Sequence, residues 1–131
     1  MKKVFISSTL RTAWNREYNK RLCDSIESKG IQCFLPQRDA DPGSAEQIYL
    51  TNKKGIDEAA VLLSVVINES PNVGWEAGYA YGTNKEIVLL TTRDHVMPEM
   101  LACMNGQVKK VIVENPDAID SYLNELIVQL Q

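Results

Sequence analysis

The run VLLSVVI at residues 61–67 is the feature that most constrains the fold of this chain. It is followed by the polar segment NESPN, and the next residues, 73–82, favour a helix with Glu76 in its first turn. A strand that is apolar on both faces is typical of the centre of a parallel sheet. Ligands bind to such sheets in the crevice at the carboxyl ends of the strands, so Glu76 is predicted to lie beside a ligand.

Other segments alternate between strand and helix patterns along the chain. We predict strands at residues 4–6, 31–35, 61–67, 86–91 and 108–113, and helices at 13–29, 44–58, 73–82, 97–104 and 117–130. Residues 36–43 (PQRDADPG) have the composition of a loop. This alternation predicts one α/β domain over residues 1–131, a doubly wound five-stranded parallel sheet with the flavodoxin-like strand order 2-1-3-4-5.

Charge and cysteine content exclude several classes of function. The net charge of -3, with basic and acidic residues interspersed, provides no basic surface for a nucleic-acid polymer. The amino-terminal apolar stretch is too short for a signal peptide or a membrane span, so we expect a cytoplasmic protein that binds no membrane. Three cysteines without Cys-x-x-Cys spacing predict reduced thiols, and no ligand cluster indicates a metal or another cofactor. His95 is expected to be a solvated loop residue.

The helix that follows residues 61–67 carries a recognisable string. Gly74-Trp75-Glu76-Ala77-Gly78-Tyr79-Ala80 resembles the nucleoside 2-deoxyribosyltransferase superfamily, which includes deoxynucleoside 5'-monophosphate N-glycosidases. Members carry Gly-aromatic-Glu-x-Gly-x-Ala after the third strand, and residues 4–8 and 34–39 resemble the family's sugar-side and base-side loops. From spacing alone, Glu76 would only complement the helix dipole, whose positive end favours the ionised form of its carboxyl group. The resemblance implies instead that Glu76 is the nucleophile that cleaves an N-glycosidic bond of a nucleoside or nucleoside 5'-monophosphate.

The resemblance also implies partners for Glu76 in catalysis. The family has an Asp on the helix before the third strand, and this position falls on Asn52, which can form hydrogen bonds but cannot act as an acid or a base. We expect Asp39, in the loop beside the crevice, to be the better replacement carboxylate. Trp14 and Trp75 are candidates for stacking on a base, with core or interface packing as the alternative.

Further residues are implied as substrate contacts. Ser8, Arg11 and Ser70 lie where the nucleotide-hydrolysing branch binds a 5'-phosphate, and their residue types suit such an anion. Asn72 lies near a base-contacting Asp of the transferase branch and is also predicted to cap its helix. The full predicted set of substrate-binding residues is Phe5, Ser7, Ser8, Arg11, Ser70, Asn72 and Gly74.

Two other classes of function remain open from the sequence. Residues 4–8 also resemble the start of TIR-like domains, which share the architecture and can cleave the nicotinamide bond of NAD. A catalytically inert nucleotide-binding module is suggested by Asn52. Hydrolysis is favoured over transfer because the carboxyl-terminal helix has no reaching tail. The resemblance further implies a homodimer or higher homo-oligomer, with Tyr79, Tyr81 and residues 97–104 as candidate interface residues.

Overall fold

Five parallel strands form a single sheet in the computed structural model, which describes residues 2–131. The strands are β1 (Val4–Ser7), β2 (Cys33–Phe34), β3 (Val61–Val65), β4 (Glu86–Thr92) and β5 (Val108–Val113). Their order is β2-β1-β3-β4-β5, and every neighbouring pair is parallel. The predicted fold class and strand order are therefore confirmed.

Helices connect the strands and cover both faces of the sheet. They are α1 (Ala13–Glu27), α2 (Pro36–Asp39), α3 (Ala45–Glu58), α4 (Pro71–Gly82), α5 (Glu99–Ala102) and α6 (Leu123–Leu130). Thr12 caps α1 and Ser44 caps α3, each accepting a hydrogen bond from a backbone N–H of the first turn. No helix within residues 2–131 is both long enough and apolar enough to cross a lipid bilayer.

The sheet separates two apolar clusters because successive strand side chains point to opposite faces. On β3, Leu63 belongs to the larger cluster, which also contains buried residues of α1 and α6, whereas Leu62 belongs to the smaller cluster with Ala77 and Ala80 of α4. Ser7 of β1 and Ser64 of β3 are paired in register. The same alternation gives these two serines the sheet face that α4 covers.

Several element boundaries differ from those predicted. Residues 36–39 form the helical turn α2 within the predicted loop, because Pro36 at the first helical position has its backbone angle preset. A 3₁₀ helix, Ile119–Ser121, precedes α6, which begins only at Leu123. Strand β2 keeps two residues of the five predicted. The difference that matters most for the site is that α4 begins at Pro71 rather than at Val73.

Candidate active site

Glu76 projects from α4 toward the carboxyl end of β1. Ser7, the last residue of β1, donates a hydrogen bond from its Oγ to Glu76 Oε1 at 2.7 Å. Because α4 begins at Pro71, Glu76 lies in the second turn, and no acidic residue occupies the first turn. The prediction that Glu76 lies in the first turn at the positive end of the helix dipole was therefore wrong. Its position at the crevice edge of the sheet agrees with the prediction.

Burial changes the acidity of Glu76. Desolvation raises the pKa of its carboxyl group from 4.5 to about 7, and the hydrogen bond from Ser7 acts in the opposite direction because it favours the charged form. We had expected the helix dipole to favour the ionised form, and this expectation was wrong because burial dominates. A carboxyl group with this pKa exchanges its proton near neutral pH, as carboxyl groups at catalytic sites often do.

Glu76 lines a cavity of about 600 Å³ between α3 and α4. From α3 the cavity receives positions 45, 48, 49 and 52, whose spacing places them on one helix face. From α4 it receives Pro71, Asn72, Trp75 and Glu76. The opening thus combines one carboxyl group, two carboxamides and two aromatic rings. This is the mostly apolar lining with few polar groups that is typical of small-molecule sites.

The aromatic rings at the cavity remain accessible. Tyr49 is 49% exposed and Trp75 is 47% exposed, although both are large hydrophobic side chains. Their ring centroids are 5.6 Å apart, and Trp75 also stacks on Tyr79 at 5.3 Å. Trp14, in contrast, packs against the core, stacks on Tyr18 and donates its indole N–H to Asp117. Of the two tryptophans, only Trp75 is placed to meet a ligand in this cavity.

Asn52 and Asn72 flank Glu76 from the two helices. Asn52 Oδ1 is buried and has no hydrogen-bond partner among residues 2–131. Asn72 is exposed within α4, and the residue that precedes the helix is Ser70, so the prediction that Asn72 caps the helix was wrong. Pro71 occupies the first helical position, which moves the start of α4 two residues upstream.

A family model for nucleoside 2-deoxyribosyltransferase matches residues 4–123. The chain belongs to the nucleoside 2-deoxyribosyltransferase family. Curated proteins provide no significant sequence match.

Solved structures agree with the fold. The CMP N-glycosidase of Clostridium botulinum is 20% identical, with coverage of 95% of this chain and 98% of that one and a TM-score of 0.68. The 2-deoxyribosyltransferase of Bacillus psychrosaccharolyticus is 14% identical, with 95% of both chains covered and a TM-score of 0.71. A TIR domain of a Toll-related receptor from Hydra magnipapillata is 16% identical, with 99% and 98% covered and a TM-score of 0.75. At these identities the structures support the fold alone, and it is the family model that assigns the family.

Seven of the ten predicted site residues of this deoxyribosyltransferase family member do not line the cavity, and Asp39, Phe5 and Arg11 are three of them. Asp39, the last residue of α2, accepts hydrogen bonds from the Leu35 backbone N–H at 2.8 Å and from Arg38, which hold its carboxyl group against that helical turn. Hydrogen bonding to Arg38 and Leu35 outweighs desolvation and lowers the pKa of Asp39, so this carboxyl group stays ionised. Phe5 is fully buried and stacks on Phe34, so it supports the core below the site. Arg11 is exposed in the loop before α1.

Ser8 belongs to a hydrogen-bond network centred on Asn15, which is fully buried. Asn15 Nδ2 donates to Ser8 Oγ at 3.4 Å and to the Ile67 carbonyl at 3.0 Å, and Asn15 Oδ1 accepts from Thr12 and Asn68. Asn68 adopts a left-handed conformation with φ of 55°, which Asn tolerates better than most residues. The network joins the loop after β1 to the loop after β3.

Ser70 and Gly74 are close in sequence to residues that line the cavity but do not line it themselves. Ser70 is buried at 8% exposure where the loop enters α4, and its side chain makes no capping hydrogen bond. Gly74 is exposed on α4, and a Cβ there would meet no atom within 4 Å. A Cβ at position 74 would therefore meet no other described residue.

His95 lies in a different environment from the one predicted. Its Nε2 is 2.9 Å from Glu69 Oε1, and its side chain is 28% exposed, so the expectation of a solvated residue was wrong. The contact joins the loop after β4 to the loop after β3. Both loops border the crevice, so the contact between His95 and Glu69 stabilises the loop that leads into α4.

A second polar cluster lies at the carboxyl-terminal end of α1. The sulfur atoms of Cys23 and Cys33 and a carboxyl oxygen of Glu27 lie within 4.8 Å of one another. Arg38 donates to both oxygens of Glu27 at 2.9 and 3.1 Å. This ion pair lowers the pKa of Glu27 and already uses its lone pairs for hydrogen bonds. All three cysteines are free, and Cys103 alone is exposed.

Tyr49 and Ile48 line the cavity but were not predicted as site residues. The signal was present in the sequence, because residues 45, 48, 49 and 52 fall at helical spacing on a face without charges. An apolar helix face predicts core packing by default, and only the exposure of Tyr49 distinguishes this face from one that is packed.

Proposed function

We propose that this protein cleaves the N-glycosidic bond of a nucleoside or nucleoside 5'-monophosphate, with Glu76 as the nucleophile. The single observation that carries the proposal is the placement of Glu76. Its carboxyl group is partly buried at the cavity between α3 and α4 and accepts a hydrogen bond there from Ser7. Membership of the nucleoside 2-deoxyribosyltransferase family supports the choice of reaction.

The proposed reaction follows the two-step course of a retaining glycosidase. The Glu76 carboxylate attacks the anomeric carbon, the bond to the base nitrogen breaks with its electron pair leaving on the base, and a glycosyl ester forms. Water then attacks the same carbon, and the ester bond breaks to return the carboxylate. Ser7 orients the carboxylate of Glu76, because its hydrogen bond joins one carboxyl oxygen to the end of β1.

Hydrolysis is proposed in preference to transfer of the sugar to another base. The fold neighbours include both a CMP N-glycosidase and a 2-deoxyribosyltransferase, so the fold does not separate the two outcomes. Ser8, Arg11 and Ser70 are the proposed contacts for a 5'-phosphate. Arg11 is exposed and has its guanidinium available to reach an anion, whereas Ser8 accepts a hydrogen bond from Asn15.

We also propose that the chain forms a homodimer or higher homo-oligomer through the surface around α3 and α4. Five large hydrophobic side chains around α3 and α4 are exposed, which is unusual for a surface without a partner. They are Ile48, Tyr49, Leu50, Trp75 and Tyr81. Sedimentation analysis tests this proposal: a dimer or larger species is expected, and conversion to monomer by Leu50→Glu would assign the interface to this surface.

The test of function is chromatographic detection of free base after incubation with a panel of nucleosides, nucleoside 5'-monophosphates and NAD. Release of a base from a nucleoside or its monophosphate, lost in Glu76→Gln, is the expected result. Release of nicotinamide from NAD, with no base released from 7-methylguanosine or from any other nucleoside or monophosphate, would favour the TIR-like alternative. Ligand binding without turnover of any panel member would instead favour an inert binding module.

A further inference from the structure

The cavity beside Glu76 contains a single ionisable carboxyl group and no basic side chain among the described residues 2–131. Three acidic residues of nearby elements have partners elsewhere, and Glu46 of α3 is exposed outside the cavity lining. Arg38 pairs with Asp39, Lys53 pairs with Asp57, and His95 contacts Glu69. Position 52, on the α3 face that lines the cavity, is an Asn. No second carboxylic acid therefore faces Glu76 across this cavity.

This composition limits which bases can leave. When the C–N bond of an ordinary nucleoside breaks, the base nitrogen takes the electron pair and needs a proton from an acid. Glu76 cannot supply that proton while its carboxylate attacks the sugar. Asn52 cannot supply it either, because a carboxamide is not an acid at neutral pH. A base that is already cationic needs no proton, since the electron pair only neutralises its charge.

The lining of the cavity also favours a cation. Tyr49 and Trp75 expose aromatic rings, whose faces attract cations. Asn52 adds a carboxamide to the lining of the same cavity, and Glu76 adds a carboxylate when ionised. A positive charge next to a carboxyl group favours its ionised form, so a cationic base would help to generate the nucleophile.

We propose that this site prefers N-glycosides whose base carries a positive charge before the bond breaks, such as a pyridinium or an N7-alkylated purine. The inference rests on the proposed function, since it uses the same nucleophile. In the balanced reaction, Glu76 forms a bond to the anomeric carbon and the base leaves as a neutral molecule. Water then releases the sugar, and one proton passes to the solvent in each turnover.

Turnover of matched substrates tests the preference. The rate of base release is measured for 7-methylguanosine against guanosine and for their 2'-deoxy forms, each corrected for loss without enzyme. We expect kcat/KM to be at least about 100-fold higher for the methylated member of a pair, because no acid assists the neutral base. Equal values would overturn the inference and leave the proposed N-glycosidase function standing.

Asn52→Asp provides the matched variant for the missing acid. Placing a carboxyl group at position 52 is expected to speed release of the neutral base. The ratio of kcat/KM between the methylated and the unmethylated nucleoside should then narrow by about tenfold or more. An unchanged ratio in a variant that remains folded by circular dichroism would contradict the inference. Tyr49→Phe checks the phenol as an alternative proton donor: the ratio should remain the same, and a ratio that widened would show that Tyr49 already acts as the acid.

A binding measurement separates the two proposals from each other. Calorimetry at pH 8 compares 1-methylnicotinamide, a pyridinium without a sugar, with neutral nicotinamide. We expect the cation to bind about tenfold more tightly, and Glu76→Gln to remove most of that difference. If this preference were observed while no N-glycoside was cleaved, the cation site would stand and the proposed function would fail. Equal binding of the two probes would overturn the cation site.

Discussion

The two sides of the crevice differ in how far their polar groups are already paired. On the α1 side, Asn15 uses both ends of its carboxamide to hold Ser8, Asn68 and the Ile67 carbonyl. On the α3 and α4 side, Asn52 Oδ1 has no partner within residues 2–131 and two aromatic rings are exposed. A satisfied network stabilises a structure, whereas unpaired groups in a cavity are available to a ligand.

Glu76→Gln is the variant with the largest expected effect on this comparison. The substitution keeps the shape of the side chain but removes the nucleophile, so kcat/KM should fall roughly 1000-fold or more for the best substrate of the panel. Glu69→Gln is the matched control, because Glu69 lies in the adjacent loop and contacts His95 instead of lining the cavity. A comparable loss in both variants would show that the crevice as a whole, and not Glu76, determines the rate.

The pH dependence of stability provides the next largest effect. The pKa of Glu76 is raised from 4.5 to about 7 in the folded protein, so the folded state binds a proton that the unfolded state has released in this range. This contribution to stability is complete below pH 4.5 and is lost as the pH rises through 7, by about 3 kcal/mol in total. Denaturant unfolding of the wild type and of Glu76→Gln at pH 5, 6, 7 and 8 measures it.

The difference in unfolding free energy between the two proteins should shift in favour of Glu76→Gln as the pH rises, since Gln does not titrate. Activity should rise over the same pH range, because only the ionised carboxylate attacks. A difference that remains constant from pH 5 to 8 would mean that Glu76 is solvated in the folded protein.

Asn15→Ala tests the other side of the crevice. Removing this fully buried carboxamide leaves the part-buried Ile67 carbonyl without the donor Asn15 Nδ2, so we expect a loss of roughly 2 to 3 kcal/mol in unfolding free energy. Asn72→Ala, on the exposed surface of the cavity, should change stability by less than about 0.5 kcal/mol. Equal losses would remove the distinction between a structural side and a binding side.

The sequence predicted the sheet more completely than the site. Residues 61–67 have the apolar pattern of a central strand, and the position of Glu76 after that strand followed from it. The turn α2 and the start of α4 were missed because proline signals both a loop and a first helical position. Asp39 was predicted to be a site carboxylate because its loop borders the crevice. Its carboxyl group instead accepts hydrogen bonds from the Leu35 backbone N–H and from Arg38, which spacing alone does not reveal.

The partial burial of Glu76 could not be predicted from the sequence, for a physical reason. Its raised pKa arises from the packing of α4 against β1, where Ser7 is fully buried. Such long-range packing depends on the whole fold, whereas a dipole argument uses only the local helix. The local argument therefore predicted the wrong direction for the pKa of this group.

The smallest expected effects come from the paired serines on the sheet face that α4 covers. Ser7 donates to Glu76, and this hydrogen bond lowers the pKa of the carboxyl group against desolvation, so Ser7→Ala should raise the apparent pKa seen in the activity profile. Ser64 is buried in register with Ser7, but its Oγ has no partner among residues 2–131. Ser64→Ala removes an unpaired polar group, so we expect it to leave the profile unchanged and stability equal or higher by up to about 1 kcal/mol. A shift of the pH profile in Ser64→Ala equal to that in Ser7→Ala would show that both hydroxyls act on Glu76. The distinction between the paired hydroxyl of Ser7 and the unpaired hydroxyl of Ser64 would then be wrong.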